Sequence, residues 1–538
     1  MQGLMMDYQL TLHPLLERAG RLYPNKEIAT KLGPDMHRYT YGEFYARVGQ
    51  LAHVLAKLGV KRGDRVGTLA WNTYRHLELY FAVPCSGAVV HTLNLRLPAD
   101  QLTYIINHAE DQVVFVEQSL LPILEKIAGS LNTVRHFVVM GQGVETTLPH
   151  VVSYEDLLAG EPTDFPWPPM DENEAAAMCY TSGTTGNPKG VLYSHRAIYL
   201  HTMAICMKDA LGLSEQDTVM PVVPMFHAMA WGVPFAATML GCRQVFPGPH
   251  LQPRDLAELI QSERINVTAG VPTLWLGLLN LLENERYDIS SLRAMPVGGS
   301  AAPRAMIEAY QKKFGVQIIH AWGMTEMTPL GTVSLLKSYM QDWPEEKQFE
   351  VRAKQGMPVP GVELRAMDDH GQEVPWDGKT MGELQVRGPW IISSYYNDPR
   401  NADAFMEGWF RTGDVVVIDP EGYMQIVDRT KDVVKSGGEW ISTVDLENAL
   451  MAHPKVLEAT VIAVPHPKWQ ERPLALVVPK AEAPDKQELY DLLGKHFAKW
   501  QLPDDIVFVE SIPKTSVGKF DKKVIREQFK EYQFVGAS

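Results

Sequence analysis

Cysteine is scarce. The 538 residues hold four, Cys85, Cys179, Cys206 and Cys242. They lie far apart and no two stand as a Cys-x-x-Cys pair, so neither a disulfide framework nor a cysteine zinc site is indicated, which suits a reducing, cytoplasmic setting. Positive charge is also short: 50 Lys and Arg against 64 Asp and Glu leave a net charge of -14. That balance argues against non-specific binding to nucleic acid or anionic lipid, though it permits a local basic patch for an anionic ligand. Residues 1–10 lack a basic region followed by an apolar run, so no signal peptide is expected. Residues 218–242 carry no Asp, Glu, Lys or Arg and are long enough to span a bilayer. They also contain Pro221, Pro224, Pro234, Gly232 and His227. Prolines and a mid-span histidine make a poor membrane helix, so a strand, a bend and a buried helix are expected there.

Several common site motifs are missing too. No Walker A loop is present, because Lys189 is followed by Gly190 and Val191. A Gly-x-Gly-x-x-Gly fails at Thr146 after Gly141-Gln142-Gly143. Gly298-Gly299-Ser300-Ala301 begins a nucleophile elbow, but position 302 is Ala rather than the closing Gly, which argues against a nucleophilic-serine enzyme.

What the chain does have is Tyr180-Thr181-Ser182-Gly183-Thr184-Thr185-Gly186-Asn187-Pro188-Lys189-Gly190, set between two apolar, strand-like runs. Glycines let backbone N–H groups approach a ligand, and successive N–H groups form a concave anion site. Hydroxyls donate to phosphate oxygens and Lys189 adds a point charge. The composition is that of a loop gripping polyphosphate; a plain hairpin turn needs neither the length nor the run of hydroxyls.

Around the loop, strands alternate with helices. Strands are expected over 64–70, 88–93, 113–116 and 137–140, with helices within 8–60, through 80–87 and over 101–107. After the loop come a helix over 196–211, strands at 244–246 and 267–270, and helices at 256–264 and 275–285. This predicts α/β layers with largely parallel sheets. Residues 334–355 turn polar without clear periodicity. Short strands dominate 362–427, and the pattern beyond Asp428 is α+β. The expected division is an N-terminal domain over 1–427 with a β-rich subdomain at about 356–427, a hinge at 428–434, and a small mobile domain over 435–538.

The glycine- and hydroxyl-rich loop closely resembles the signature of the adenylate-forming superfamily of acyl-CoA synthetases, adenylation domains and luciferases. Further segments carry the same resemblance: His320-Ala321-Trp322-Gly323-Met324-Thr325-Glu326, Val297-Gly298-Gly299-Ser300, Arg411-Thr412-Gly413-Asp414, Asp428 to Ser442, and Pro513 to Phe520. It runs from Thr40-Tyr41 to Lys519 and is nearest to bacterial long- and medium-chain fatty acid–CoA ligases. Two positions depart from the pattern: Trp322 stands where Tyr is usual, and Ser394 where Gly is common.

The resemblance implies roles. Thr181, Ser182, Gly183, Thr184, Thr185, Gly186 and Lys189 hold ATP phosphates. Gly299, Ser300, Ala321, Trp322 and Gly323 line the adenine site, Thr325 meets the α-phosphate, and Glu326 with Thr181 holds Mg²⁺. Asp414 and Arg429 take the ribose. Lys519 serves adenylation and Asp428 is the pivot. Lys435 faces the acceptor thiol, with Lys431, Gly437, Gly438 and Trp440 on the CoA side. Val223, His227, Trp231 and Gly299 border the acyl pocket. Catalysis is expected of Lys519, Glu326, Lys435 and His227. The implied activity joins a carboxylic acid to CoA at the expense of ATP through an acyl-adenylate, with fatty acid, ATP and CoA as partners and a homodimer allowed. The rivals are a ligase for another acid, aryl or short-chain, an adenylating enzyme that loads a carrier protein, and a non-catalytic nucleotide-binding protein.

Overall fold

A computed structural model describes every residue except Gln2, 142–144, 182–186, Gly438, 515–519 and 535–538. The chain divides into two compact units, one of residues 1–363 with 387–410, the other of 364–386 with 411–538. This division places residues 364–386 and 411–427 with the C-terminal part of the chain.

The first unit is built on two large sheets. A seven-stranded sheet takes the strands Val151–Ser153, His136–Met140, Asp111–Glu117, Arg65–Leu69, Val89–Thr92, Ala175–Tyr180 and Gly190–Ser194 in that spatial order. All its pairings are parallel except the last, where Ala175–Tyr180 and Gly190–Ser194 form an antiparallel hairpin. Its strands read as apolar runs, for example Val113-Val114-Phe115-Val116, because helices cover a parallel sheet. The nine-stranded sheet has a parallel centre, where Thr218–Pro221, Arg243–Phe246, Val267–Ala269, Ala294–Val297 and Gln317–Gly323 pair. At one edge the antiparallel hairpin Glu27–Leu32 and Asp35–Thr40 joins it through Arg243–Phe246. A core around fully buried Trp275 packs against this sheet.

Local signals explain several boundaries. Thr40 caps the helix Tyr41–Lys57: its hydroxyl accepts from Glu43 N–H, while its own N–H donates to Glu43 Oε2. The uncharged stretch resolves into the strand Thr218–Pro221, a tight turn at Ala228–Gly232 and the buried helix Val233–Leu240, as the prolines predict. Among the described residues no helix is long and apolar enough to cross a membrane. Two elements differ from expectation. The Glu27–Leu32/Asp35–Thr40 hairpin lies between the helices His13–Leu22 and Tyr41–Lys57, in a region where helices but no strand were expected, and a helix, Glu345–Ala353, occupies the polar stretch.

In the second unit, Gly382–Arg387 pairs between Glu363–Met367 and Trp409–Ile418, and Met424–Arg429 pairs with Trp409–Ile418. Its C-terminal part sets the long antiparallel strands Val456–His466 and Gln470–Pro479 against the helices Thr443–Met451 and Lys486–Leu493.

Candidate active site

The antiparallel hairpin at the edge of the seven-stranded sheet presents the phosphate-type loop. Thr181 N–H donates to Lys189 O at 2.9 Å, and Lys189 N–H donates to Thr181 Oγ1 at 3.3 Å, so the base of the loop is closed. Ser182, Gly183, Thr184, Thr185 and Gly186 lie outside the described residues.

Lys189 Nζ sits 4.2 Å from the centre of the Tyr395 ring, and the Tyr395 hydroxyl donates to Glu326 Oε1 at 2.8 Å. Tyr395 and Glu326 are both buried. Lys189, Tyr395 and Glu326 therefore form one continuous cluster. Burial, and next the nearby Arg400 guanidinium, lower the pKa of Lys189. Burial and the Glu326 carboxylate raise that of the Tyr395 phenol, which stays a donor. The segment carrying Tyr395 is fastened on both sides: Tyr396 N–H donates to Gly190 O at 2.9 Å and Ile392 N–H to Glu326 O at 2.9 Å. Among the described residues no three His, Cys, Asp or Glu side chains cluster to hold a metal ion. A nearly buried carboxylate does suit Mg²⁺, which keeps nucleotide phosphates and water in its shell.

Beside this cluster lies a cleft lined by His227, Trp231, Gly298, Gly299, Ala321, Trp322, Gly323 and Thr325. Ile205, Leu211, Met324, Pro329 and Leu330 also line it. The strand Gln317–Gly323 brings Ala321 and Gly323 to it. Trp322 is 7% exposed and lies close against Gly331, so its ring serves the interior as well as the cleft. Glycine is required at 298 and 299. A Cβ on Gly298 would stand 2.9 Å from Ala321 O and 3.3 Å from the Trp231 ring, and Gly299 has φ +78°. His320 fixes this turn. It accepts Ala302 N–H on Nε2 at 3.2 Å, with Nδ1 against Ala353 O at 2.9 Å, and burial lowers its pKa to about 4, so it is neutral.

Trp231 reaches the cleft from an unusual backbone. Ala228, Met229, Ala230 and Trp231 have φ of 42°, 55°, 51° and 56°, ahead of Gly232 at 73°. A left-handed turn of L-residues costs roughly 1–2 kcal/mol each. Helix packing on both sides overrides that cost: Gly232 abuts His201, so closely that a Cβ there would lie 2.7 Å from its ring. His227 begins this turn and is exposed at the cleft, whereas Ser300, also exposed, is not among the lining residues. Val223 is not on the cleft; it is buried, its carbonyl accepting from Asn72 at 2.8 Å.

The second unit holds the remaining candidates. Asp414 is 1% exposed and pairs across the strands with Arg429, whose Nε lies 2.8 Å from Asp414 Oδ1. Asp428 Oδ2 accepts from Thr443 N–H at 2.6 Å and Thr443 Oγ1 at 2.7 Å, and its Oδ1 accepts from Arg429 N–H at 2.7 Å. Burial raises its pKa. Burial likewise lowers that of Lys431. Lys435 and Trp440 face each other across the hairpin Val434–Ser436/Glu439–Ile441, and Gly437 N–H donates to Trp469 O at 2.9 Å. Gly438 and Lys519 lie outside the described residues.

Residues 16–396 match the family model described as AMP-binding enzyme, and residues 445–519 match that of the AMP-binding enzyme C-terminal domain. The chain belongs to this AMP-binding enzyme family, and its activity class is that of an AMP-forming acyl-CoA synthetase. It is 51% identical over 532 residues to the long-chain-fatty-acid–CoA ligase of Thermus thermophilus, covering 98% of this chain and 97% of that protein. It is 46% identical over 537 residues to the 3-methylmercaptopropionyl-CoA ligase of Ruegeria lacuscaerulensis, covering 99% of each. Among solved structures, the anthranilate CoA ligase AuaEII in complex with anthranoyl-AMP superimposes with a TM-score of 0.84 at 27% identity, covering 98% of both chains.

Proposed function

We propose that the chain joins medium- to long-chain fatty acids to CoA in two steps. The acid's carboxylate attacks the α-phosphate of ATP, forming an acyl-adenylate and releasing pyrophosphate. The CoA thiol then attacks the acyl carbon and AMP leaves. Splitting one difficult acyl transfer into two easier ones is the gain. The observation that carries the reading is a single cleft with two kinds of wall. Ala321, Gly323 and Thr325 belong to the nucleotide-type segments, whereas Ile205, Leu211, Trp231 and Leu330 are apolar. The 51% identity to a long-chain-fatty-acid–CoA ligase supports the same substrate class.

In this reading Lys189 neutralises the terminal phosphates. Glu326, with Thr181, would hold Mg²⁺, which would spread the charge of the phosphates. Tyr395 orients Glu326 through its hydroxyl. Asp414 and Arg429 bind the ribose, His227 lies toward the acid's carboxylate, and Lys519 stabilises the charge that develops at the α-phosphate. Lys435, Lys431, Gly437, Gly438 and Trp440 serve the CoA step, and rotation about Asp428 exchanges the two lysines. That rotation would separate residues grouped here in one unit, so a functional test decides it. Lys519→Ala is expected to abolish acyl-adenylate formation and spare CoA transfer from preformed acyl-adenylate, and Lys435→Ala to do the reverse. Single-turnover assays of each half-reaction check this, and equal damage to both steps by both variants would refute it.

A second reading, a ligase for a short or aryl acid, is favoured by the 46% identity to a 3-methylmercaptopropionyl-CoA ligase. Pyrophosphate release with a panel of acids, with and without CoA, separates the two. The highest kcat/KM on a fatty acid of medium or long chain supports the first; on 3-methylmercaptopropionate, acetate or benzoate, the second.

A further inference from the structure

Lys435, on which the proposed CoA step depends, is already engaged by an anion. Its Nζ lies 2.9 Å from Asp369 Oδ1 and 3.1 Å from Oδ2. The same carboxylate accepts from Trp440 Nε1 at 3.3 Å. Lys435 and Trp440 are partners across the hairpin, and the ammonium sits 4.9 Å from the centre of the indole. One carboxylate thus caps both members of a cation–aromatic pair.

Asp369 comes from elsewhere in the same unit, the turn that follows the strand Glu363–Met367. That turn is fixed by its neighbour: Asp368 Oδ1 accepts from His370 N–H and Gln372 N–H, both at 2.8 Å. Asp369 is left projecting, with its side chain 55% exposed and that of Lys435 36% exposed. Pairs this wet contribute little to stability. The three-way contact therefore has no large structural role, and it ties down donors that a phosphate would also use.

We propose that Asp369 is a placeholder anion for CoA. Its carboxylate occupies the Lys435 ammonium and the Trp440 indole N–H until phosphate oxygens of the incoming CoA displace it, and so it sets the apparent affinity for CoA. The exchange is chemically matched, because carboxylate and phosphate both accept charge-assisted bonds from an ammonium and the phosphate carries the greater charge. The assignment rests on the reading of Lys435 as facing CoA.

The test uses the full-length enzyme with Asp369→Ala and Asp369→Asn, surface changes that leave the folded core untouched. Removing an exposed competitor is expected to lower KM for CoA roughly two- to fivefold, the range set by an exposed ion pair. Pyrophosphate release in the absence of CoA is expected to stay unchanged. In a Lys435→Ala background the Asp369→Ala substitution is expected to have no further effect on KM for CoA. An unchanged or raised KM for CoA in Asp369→Ala, or an equal shift in KM for ATP, would overturn the proposal. The underlying reading is judged separately. If Lys435→Ala leaves thioester formation from preformed acyl-adenylate intact, that reading fails and the placeholder role falls with it. If Lys435→Ala slows that step while the Asp369 variants move nothing, only the placeholder role fails.

Discussion

Glu326→Gln separates the electrostatic role of this residue from its structural one. The glutamine is nearly isosteric and keeps an oxygen to accept the Tyr395 hydroxyl, which donates at 2.8 Å in the wild type. The backbone carbonyl of residue 326 still receives Ile392 N–H. A hydrogen bond to a charged group contributes about 1.5–3 kcal/mol and a neutral one about 0.5–1.5, so the fold loses about 1 kcal/mol. In a unit as large as the first one that lowers Tm by only about 1 °C. If Glu326 holds Mg²⁺ as proposed, the effect on catalysis is far larger, because an amide would not hold the ion as a carboxylate would. Losing one preorganised electrostatic contact to a reacting phosphate costs about 3–4 kcal/mol, or roughly a hundred- to a thousandfold in kcat. ATP–pyrophosphate exchange measured across a magnesium titration, with a thermal melt as the control, reads both consequences. The expected result is a slow variant at every acid concentration, a magnesium half-saturation shifted upward and a nearly native melt. A slow variant whose magnesium dependence is unchanged would refute the assignment, and an unfolded one would refute the estimate of structural cost.

The pKa of Lys189 is lowered first by burial and then by Arg400, so its charge is lost at lower pH than that of a free lysine. Activity is expected to fall on the alkaline side as Lys189 deprotonates, and Arg400→Gln, by removing a like charge, is expected to move that limb of the kcat/KM profile for ATP to higher pH; a limb that stays put or moves down excludes Lys189 as the titrating group. Ala230, at φ 51°, lies in the left-handed turn, and Ala230→Gly removes a Cβ penalty of about 1–2 kcal/mol against about 0.4–1 kcal/mol of added chain entropy. Chemical denaturation is expected to show an unchanged or slightly raised stability, and a loss of about 1 kcal/mol or more would mean that the turn is not strained.

What was legible in the sequence was local chemistry. Glycines, hydroxyls and Lys189 crowd into one stretch, whose composition by itself proposes a phosphate site, whereas Trp322, Thr325 and Glu326 entered only through the resemblance. The prolines of 218–242 likewise announced a broken, non-membrane path. Tyr395 stayed hidden because its partner Glu326 is 69 positions away; backbone bonds from its segment to Gly190 and Glu326 bring it in. Asp369 escaped for the same reason, since a charged turn residue has no local mark of its distant lysine. The left-handed turn gives no signal either, because residues 228–231 contain no glycine and packing rather than propensity holds them. Glu345–Ala353 was missed because its buried apolar residues, Phe349 and Val351, stand two positions apart and make no helical apolar stripe.

The hairpin at the edge of the nine-stranded sheet bears on how the chain is made. Glu27–Leu32 pairs with Asp35–Thr40 on one side, but on the other it pairs with Arg243–Phe246, and Arg243 and Glu27 are 216 positions apart. A ribosome adding about 5–20 residues per second needs roughly 10–40 s to bring the later strand out. Throughout that interval Ile28 and Ala29, both fully buried in the finished protein, wait on an open strand edge, the kind of surface on which nascent chains pair with one another. The beginning of this chain is therefore a place for a chaperone to act, and faster translation between residues 40 and 246 would shorten the exposure without altering a single contact of the final fold.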